Sequence, residues 1–221
     1  MTQYVDYWRQ LDIFDPSKFS GKVVVVGAGS VGSFVTLSLA KMGIKNITVI
    51  DFDKVENHNL PNQFYRLSDV GKPKVEALKE IVKDFTGADI TTINDKFEST
   101  DIDVADILIV TVDSMKARHN IFEKIKVNPY IKYLIDVRTS AEQFRIYTID
   151  KSNFGHIEFY EKELYTDEEA SELPCTARNI VYTVEGVASF VCSKVKKIML
   201  NQSFKKLIIF DFVTGVKMNG G

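Results

Sequence analysis

The run Val23-Val24-Val25-Val26-Gly27-Ala28-Gly29-Ser30-Val31-Gly32 decides how this chain folds, together with Asp51 at the end of the next apolar run. A β-branched stretch over Lys22–Val26 predicts a strand buried on both faces, as in a parallel sheet. The glycines then form G-x-G-x-x-G, a tight turn that opens a helix. Such a turn lets the backbone approach a phosphate, and the helix N-terminus behind it supplies N–H groups and positive potential. The helix is expected over Ser33–Met42, with Phe34, Leu37 and Met42 apolar and Gly43 as its stop. Ile47–Ile50 reads as the second strand. It places Asp51 at a carboxyl edge, about 20 residues after the turn, where a carboxylate can hold ribose hydroxyls. Gly27, Gly29, Gly32 and Asp51 therefore read as nucleotide-binding residues. To this point a nicotinamide-dependent oxidoreductase fits as well as an ATP enzyme.

Outward from that unit the periodicity predicts a polar loop over Asp53–Asp69 and an amphipathic helix over Lys72–Phe85, with Val75, Leu78, Val82 and Phe85 on one side. Strands follow at Ile90–Ile93 and Asp106–Val112, a helix at Lys116–Ile125 and a strand at Tyr133–Val137. This alternation predicts a Rossmann-like α/β fold, a mostly parallel sheet with helices on both faces. The pattern then changes. Phe144–Ile149 and His156–Tyr160 read as antiparallel strands, and Glu161–Ala177 as an acidic loop. Ile180–Leu200 reads as a long helix, and Leu207–Phe212 with Gly215–Met218 as a closing hairpin.

The chain has 221 residues, 45% hydrophobic and 26% charged, enough for one large domain. A net charge of -2 supplies no basic field for nucleic acid or anionic membrane, so neither partner is expected. No apolar stretch approaches the ~18 residues that span a bilayer. The first residues, Met1 to Phe14, lack a basic start followed by an apolar run, and a cytoplasmic location is expected. Two cysteines, Cys175 and Cys192, and three dispersed histidines give neither a disulfide framework nor a structural zinc site.

The residues after Asp51 shift the balance towards phosphoryl chemistry. Asp51 to Phe64 is dense in polar groups, Gly71-Lys72-Pro73-Lys74 follows, and Thr111-Val112-Asp113-Ser114 ends a strand on the same carboxyl edge. An ammonium there can neutralise triphosphate oxygens, and a carboxylate can hold magnesium.

In these motifs the sequence resembles the ThiF/MoeB/HesA family, which includes the adenylation domains of ubiquitin-activating enzymes. The matching residues are Gly27, Gly29 and Gly32; Asp51, Asp53, Val55, Asn59, Leu60 and Gln63; Gly71, Pro73, Lys74 and Ala77; and Asp113, within about residues 5–200. The resemblance implies one adenylation domain over 1–221, with an N-terminal segment at 1–20 and a crossover loop at 160–178. It implies ATP- and magnesium-dependent adenylation of the carboxyl terminus of a small ubiquitin-like or sulfur-carrier protein. It implies Asp51 on the ribose, Asn59 and Lys74 on the phosphates, and Asp113 on magnesium. Asp53 and Gln63 join the cofactor-binding set by their place in the motif. Arg9, in Arg9-Gln10-Leu11, resembles an arginine that reaches the partner's ATP, which requires a homodimer.

The chain departs from the family at Asn62, where relatives carry arginine. Asparagine lacks the charged, bidentate fork that grips phosphate, and Arg66 is the nearest replacement. A nucleotide-binding, catalytically weak scaffold subunit is the alternative that this departure raises. Cys175, in Leu173-Pro174-Cys175-Thr176-Ala177-Arg178, lies where thioester-forming relatives carry a nucleophile. Cys192 sits mid-helix among apolar residues and reads as core. The terminal Gly220-Gly221 is of the kind such enzymes activate, and reads as a tail.

Overall fold

The valine run forms β1, Val23–Val26, the centre of an eight-stranded sheet in a computed structural model that describes residues 5–102, 104–165 and 179–220. The strands are β1; β2, Ile47–Ile50; β3, Thr91–Ile93; β4, Ala105–Val110; β5, Ile131–Ser140; β6, Gln143–Asp150; β7, Leu207–Asp211; and β8, Val216–Gly220. Their spatial order is β3-β2-β1-β4-β5-β6-β7-β8. The first five strands of that row run parallel, and each later neighbour pairs antiparallel. The expected fold class is the observed one. The chain leaves β1 towards β2 on one side and returns to β4 on the other. That reversal opens a crevice at the carboxyl ends of β1 and β4, because the two loops part there.

The helices are α1, Ser30–Lys41; α2, Lys74–Thr86; α3, Met115–Lys126; α4, Phe154–Lys162; and α5, Val181–Met199. Alternation along β1 divides the core: Val23 and Val25 face α1, α2 and α5, whereas Val24 and Val26 face α3 and α4. Both faces are covered, which is why β1 is wholly apolar and β2 and β4 are apolar but for Thr48 and Asp106.

One expectation is corrected. His156–Tyr160 lies in helix α4, not in a strand. The side chain of Asn153 accepts from the His156 N–H and caps the first turn, while Ile157 and Tyr160, one helical turn apart, pack on the second core. Other differences concern boundaries. β4 stops at Val110, helix α1 starts at Ser30 on the glycine turn, and β5 runs on to Ser140 to pair with β6 through a two-residue turn at Ala141-Glu142. Cys175 lies outside the described residues, as does the expected acidic loop from residue 166 on; the first two residues of that loop, Glu161 and Lys162, instead close helix α4. Among the described residues, no helix is long and apolar enough to cross a membrane.

Candidate active site

The crevice at the strand reversal is a cleft of about 510 Å³, within the range of small-molecule sites. Its floor is the glycine turn. Gly27 has φ +99°, which a residue with Cβ rarely adopts. A Cβ on Gly32 would stand 1.9 Å from the Gly27 carbonyl oxygen, so only glycine lets helix α1 pack this close to the turn. Gly29 faces open space, the opening that a phosphate cradle requires.

Three neighbours hold the turn in shape. The Ala28 N–H donates to Asp51 Oδ2 at 2.6 Å, and Tyr65 Oη donates to the Ala28 carbonyl at 2.5 Å. Thr111, beyond the end of β4, donates through Oγ1 to the Val26 and Gly27 carbonyls at 3.0 Å each. Burial, helped by Asp51, pushes the Tyr65 hydroxyl far above its ordinary value, so it remains a donor. Asp51 thus has one oxygen on the turn and the other on the Asp53 N–H at 2.7 Å, facing the cleft between them.

Lys74 opens α2 and is 6% exposed, with its ammonium in the cleft wall. Its Nζ donates to Asp53 Oδ2 at 2.9 Å. Asp53, half exposed, is the counter-ion of this buried lysine beside the cleft. Asp113 stands across from it, exposed on the β4–α3 loop. Gln63 also lines the cleft, and its Oε1 is buried without a hydrogen-bond partner. An orphaned acceptor of this kind marks a place for a donor.

The remaining expected site residues lie elsewhere. Asn59 does not line the cleft: it is buried, and its Oδ1 accepts the Glu56 N–H at 3.0 Å. Asn62 donates to the Asn179 carbonyl at 3.2 Å, tying the polar loop to the segment before α5. Arg66 is drawn to Asp84 on α2 at 2.5 Å, away from the cleft lining. Arg9 is exposed, with its guanidinium 5.3 Å from the Trp8 ring. Conversely, the far wall contains residues the motifs did not single out: Phe52, Asp95, Lys96, Phe97, Lys116 and Asn120. They come from the loops after β2 and β3 and from α3. Position just past a carboxyl strand end is the readable signal for Asp95 and Lys96, which follow β3 after Asn94.

Among the described residues no cluster of three or more acidic, histidine or cysteine side chains can hold a metal by itself. One of the cleft carboxylates, Asp113, fits magnesium held jointly with phosphate, the usual arrangement for that ion.

Comparison with known proteins agrees with this architecture. The model of the ThiF family matches residues 16–216. The NEDD8-activating enzyme E1 catalytic subunit of Arabidopsis thaliana is 36% identical over 102 residues, covering 44% of this chain and 22% of that protein. tRNA threonylcarbamoyladenosine dehydratase 2 of Saccharomyces cerevisiae is 48% identical over 63 residues, covering 28% of this chain and 14% of that protein. The crystal structure of E. coli MccB with ATP superposes with a TM-score of 0.72 at 20% identity, covering 93% of this chain and 65% of MccB. At that identity the superposition speaks for the fold. The chain spans less than a quarter of the NEDD8-activating subunit and just under two thirds of MccB. With a match running from residue 16 to residue 216, this chain belongs to the ThiF family.

Proposed function

We propose that the chain is an adenylyltransferase that uses ATP and magnesium to activate the C-terminal carboxylate of a small ubiquitin-like or sulfur-carrier protein. The observation that carries this reading is the meeting of the Lys74 ammonium and the Asp113 carboxylate in one cleft above an open glycine turn. Phosphoryl chemistry has a use for both members of the pair, the ammonium on phosphate oxygens and the carboxylate on magnesium. Relatives named for activating NEDD8, and a structural neighbour crystallised with ATP, support the same class of chemistry.

In the proposed reaction a carboxylate oxygen of the carrier attacks the α-phosphorus of ATP. The bond from that phosphorus to the oxygen bridging to the β-phosphate breaks, and pyrophosphate leaves. The product is a mixed anhydride, which turns a poor electrophile into a good one. The turn N–H groups and Lys74 hold the phosphates, Asp51 holds the ribose and Gln63 Oε1 accepts from a donor on the bound substrates. Asp113 would hold magnesium, which when bound neutralises charge gathering on the pyrophosphate. The adenylate can then be captured by the Cys175 thiolate with loss of AMP, and a homodimer would let Arg9 reach its partner's cleft.

ATP–pyrophosphate exchange that depends on a carrier protein tests the reading, with Lys74→Ala and Asp113→Ala expected to abolish it. Normal exchange by both variants would refute the assignment. A reductant-sensitive adduct lost in Cys175→Ser tests the capture step. One observation favours the scaffold reading instead: Asn62 and Arg66 are both engaged outside the cleft lining, and among the described residues no arginine lines it. That reading predicts ATP binding without exchange at any carrier concentration.

A further inference from the structure

A buried ion network lies beside the cleft that none of the nucleotide motifs uses. Asp136, fully buried midway along β5 and opposite Val110 at the end of β4, lies between two arginines. Its Oδ1 accepts from Arg118 Nη1, and its Oδ2 accepts from Arg138 Nε at 2.8 Å. Arg118, on α3 and 5% exposed, turns its other arm to the Val112 carbonyl. Arg138 extends the chain outward: its Nη1 donates to the Glu163 carbonyl at 2.7 Å, and its guanidinium lies 4.3 Å from the Tyr147 ring centre. Tyr147 in turn donates to Glu163 Oε2 at 2.8 Å.

Stability alone does not account for such a network. Desolvating three charges costs several kcal/mol per ion, and well-packed apolar side chains of similar volume often do as well or better. What the charges uniquely supply is direction. The Val112 carbonyl shares a rigid peptide plane with the Asp113 N–H and Cα. An arm of Arg118 on that oxygen therefore fixes the origin of the Asp113 side chain. On the far side, Ser114 Oγ accepts the Ala117 N–H at 3.2 Å and anchors the start of α3. Asp113 is thus an exposed carboxylate between two clamps, and one clamp is backed by a buried carboxylate.

We propose that Arg118, Asp136 and Arg138 are positioning residues that aim Asp113 into the cleft through the Val112–Asp113 peptide plane. The inference rests on the reading of Asp113 as the magnesium-facing carboxylate. Arg118 touches no substrate in this scheme, and Arg138 acts at one further remove, holding Asp136 from the β6–α4 side. Lysine at 118 cannot replace the fork, because one ammonium does not span the carbonyl and the carboxylate in a fixed plane.

The test is ATP binding by calorimetry across a magnesium series, with wild type, Arg118→Lys, Asp113→Ala and the double variant. Arg118→Lys is expected to raise the magnesium concentration for half-maximal binding about tenfold, the usual scale for a residue that orients a metal ligand. In the Asp113→Ala background the same change is expected to add nothing. An unchanged midpoint in a folded Arg118→Lys protein, or an independent additive effect in the double variant, overturns the proposal. Amide hydrogen exchange gives a readout that stands if the adenylation reading fails and ATP does not bind. Arg118→Lys is expected to speed exchange at Ala117, whose N–H is held by Ser114 Oγ, about tenfold and to leave the amides of α2 unchanged. Equal protection at Ala117 in both proteins contradicts the positioning role. Should Arg118→Lys not fold, Arg138→Lys, one contact further out, is put through both measurements with the same expected directions.

Discussion

The parallel and antiparallel halves of this sheet are built for different tasks. In the parallel half, β3 to β5, short strands end in loops that carry Gly27–Ser30, Asp51, Lys96 and Asp113 to one edge. Of the described residues that line the cleft at that edge, none comes from the antiparallel half, β6 to β8. Instead one face gathers an aromatic cluster, in which Phe144 lies 5.2 Å from Phe190, 5.4 Å from Phe210 and 6.1 Å from Phe212, ring centre to ring centre. Parallel strands separated by helical crossovers bring many independent loops to one edge, whereas the β5–β6 and β7–β8 hairpins return the chain at once and leave side chains for packing. The division predicts that damage to the two halves is felt in different measurements.

The largest effect is expected from Phe144→Ala. This ring is fully buried, and its removal is expected to cost about 3–5 kcal/mol of stability, read as a lower midpoint in denaturant. ATP affinity well below the melting temperature should be unchanged. If binding falls with stability, the two halves are not separable. Lys74→Ala reverses the pattern, with a loss of exchange activity of about 10²–10³-fold, the scale for removing one transition-state contact. Gly29→Ala sharpens the contrast, because a Cβ there meets only open space. Stability should fall by less than about 1 kcal/mol while ATP binding weakens, since the methyl group occupies the cradle. A stable variant with full ATP affinity would remove Gly29 from the site.

The smallest effect concerns acid. Burial alone would raise the Asp136 carboxyl, but Arg118 and Arg138 outweigh it and hold the group below its ordinary value of 3.8. A depressed folded-state value gives stability that is complete above 3.8 and lost as pH falls through the lower value. The difference in melting temperature between wild type and Asp136→Asn should therefore shrink in that acid window. A constant difference would show that the charge of Asp136 does not contribute.

The halves also differ in how readily their sequence is read. The parallel half announces itself, because a strand buried on both faces must be apolar throughout and its turn must be glycine; Val23–Gly32 is legible for that reason. Lys74 and Asp113 were legible as members of ordered motifs, and both reach the cleft. The segment His156–Tyr160 misled because Ile157, Phe159 and Tyr160 suit a strand, and local preference yielded to the Asn153 cap and to packing of Tyr160 on Phe122 at 4.9 Å. Asn59 and Arg66 show the limit of motif reading. Each has a local partner, Glu56 or Asp84, that spacing along the chain does not reveal. The Arg118–Asp136–Arg138 network was invisible because its members come from a helix and a strand that only the fold brings together.

The central claim is that a lysine and two acidic side chains from separate strand ends surround one ATP. Calorimetric titration of the purified chain with ATP and magnesium, and separately with NADH, tests it most directly. The account predicts that ATP binds in a magnesium-dependent manner, that Lys74→Ala and Asp51→Ala each weaken it at least about tenfold, and that NADH does not compete. Tight NADH binding, or ATP binding that ignores Lys74, contradicts it.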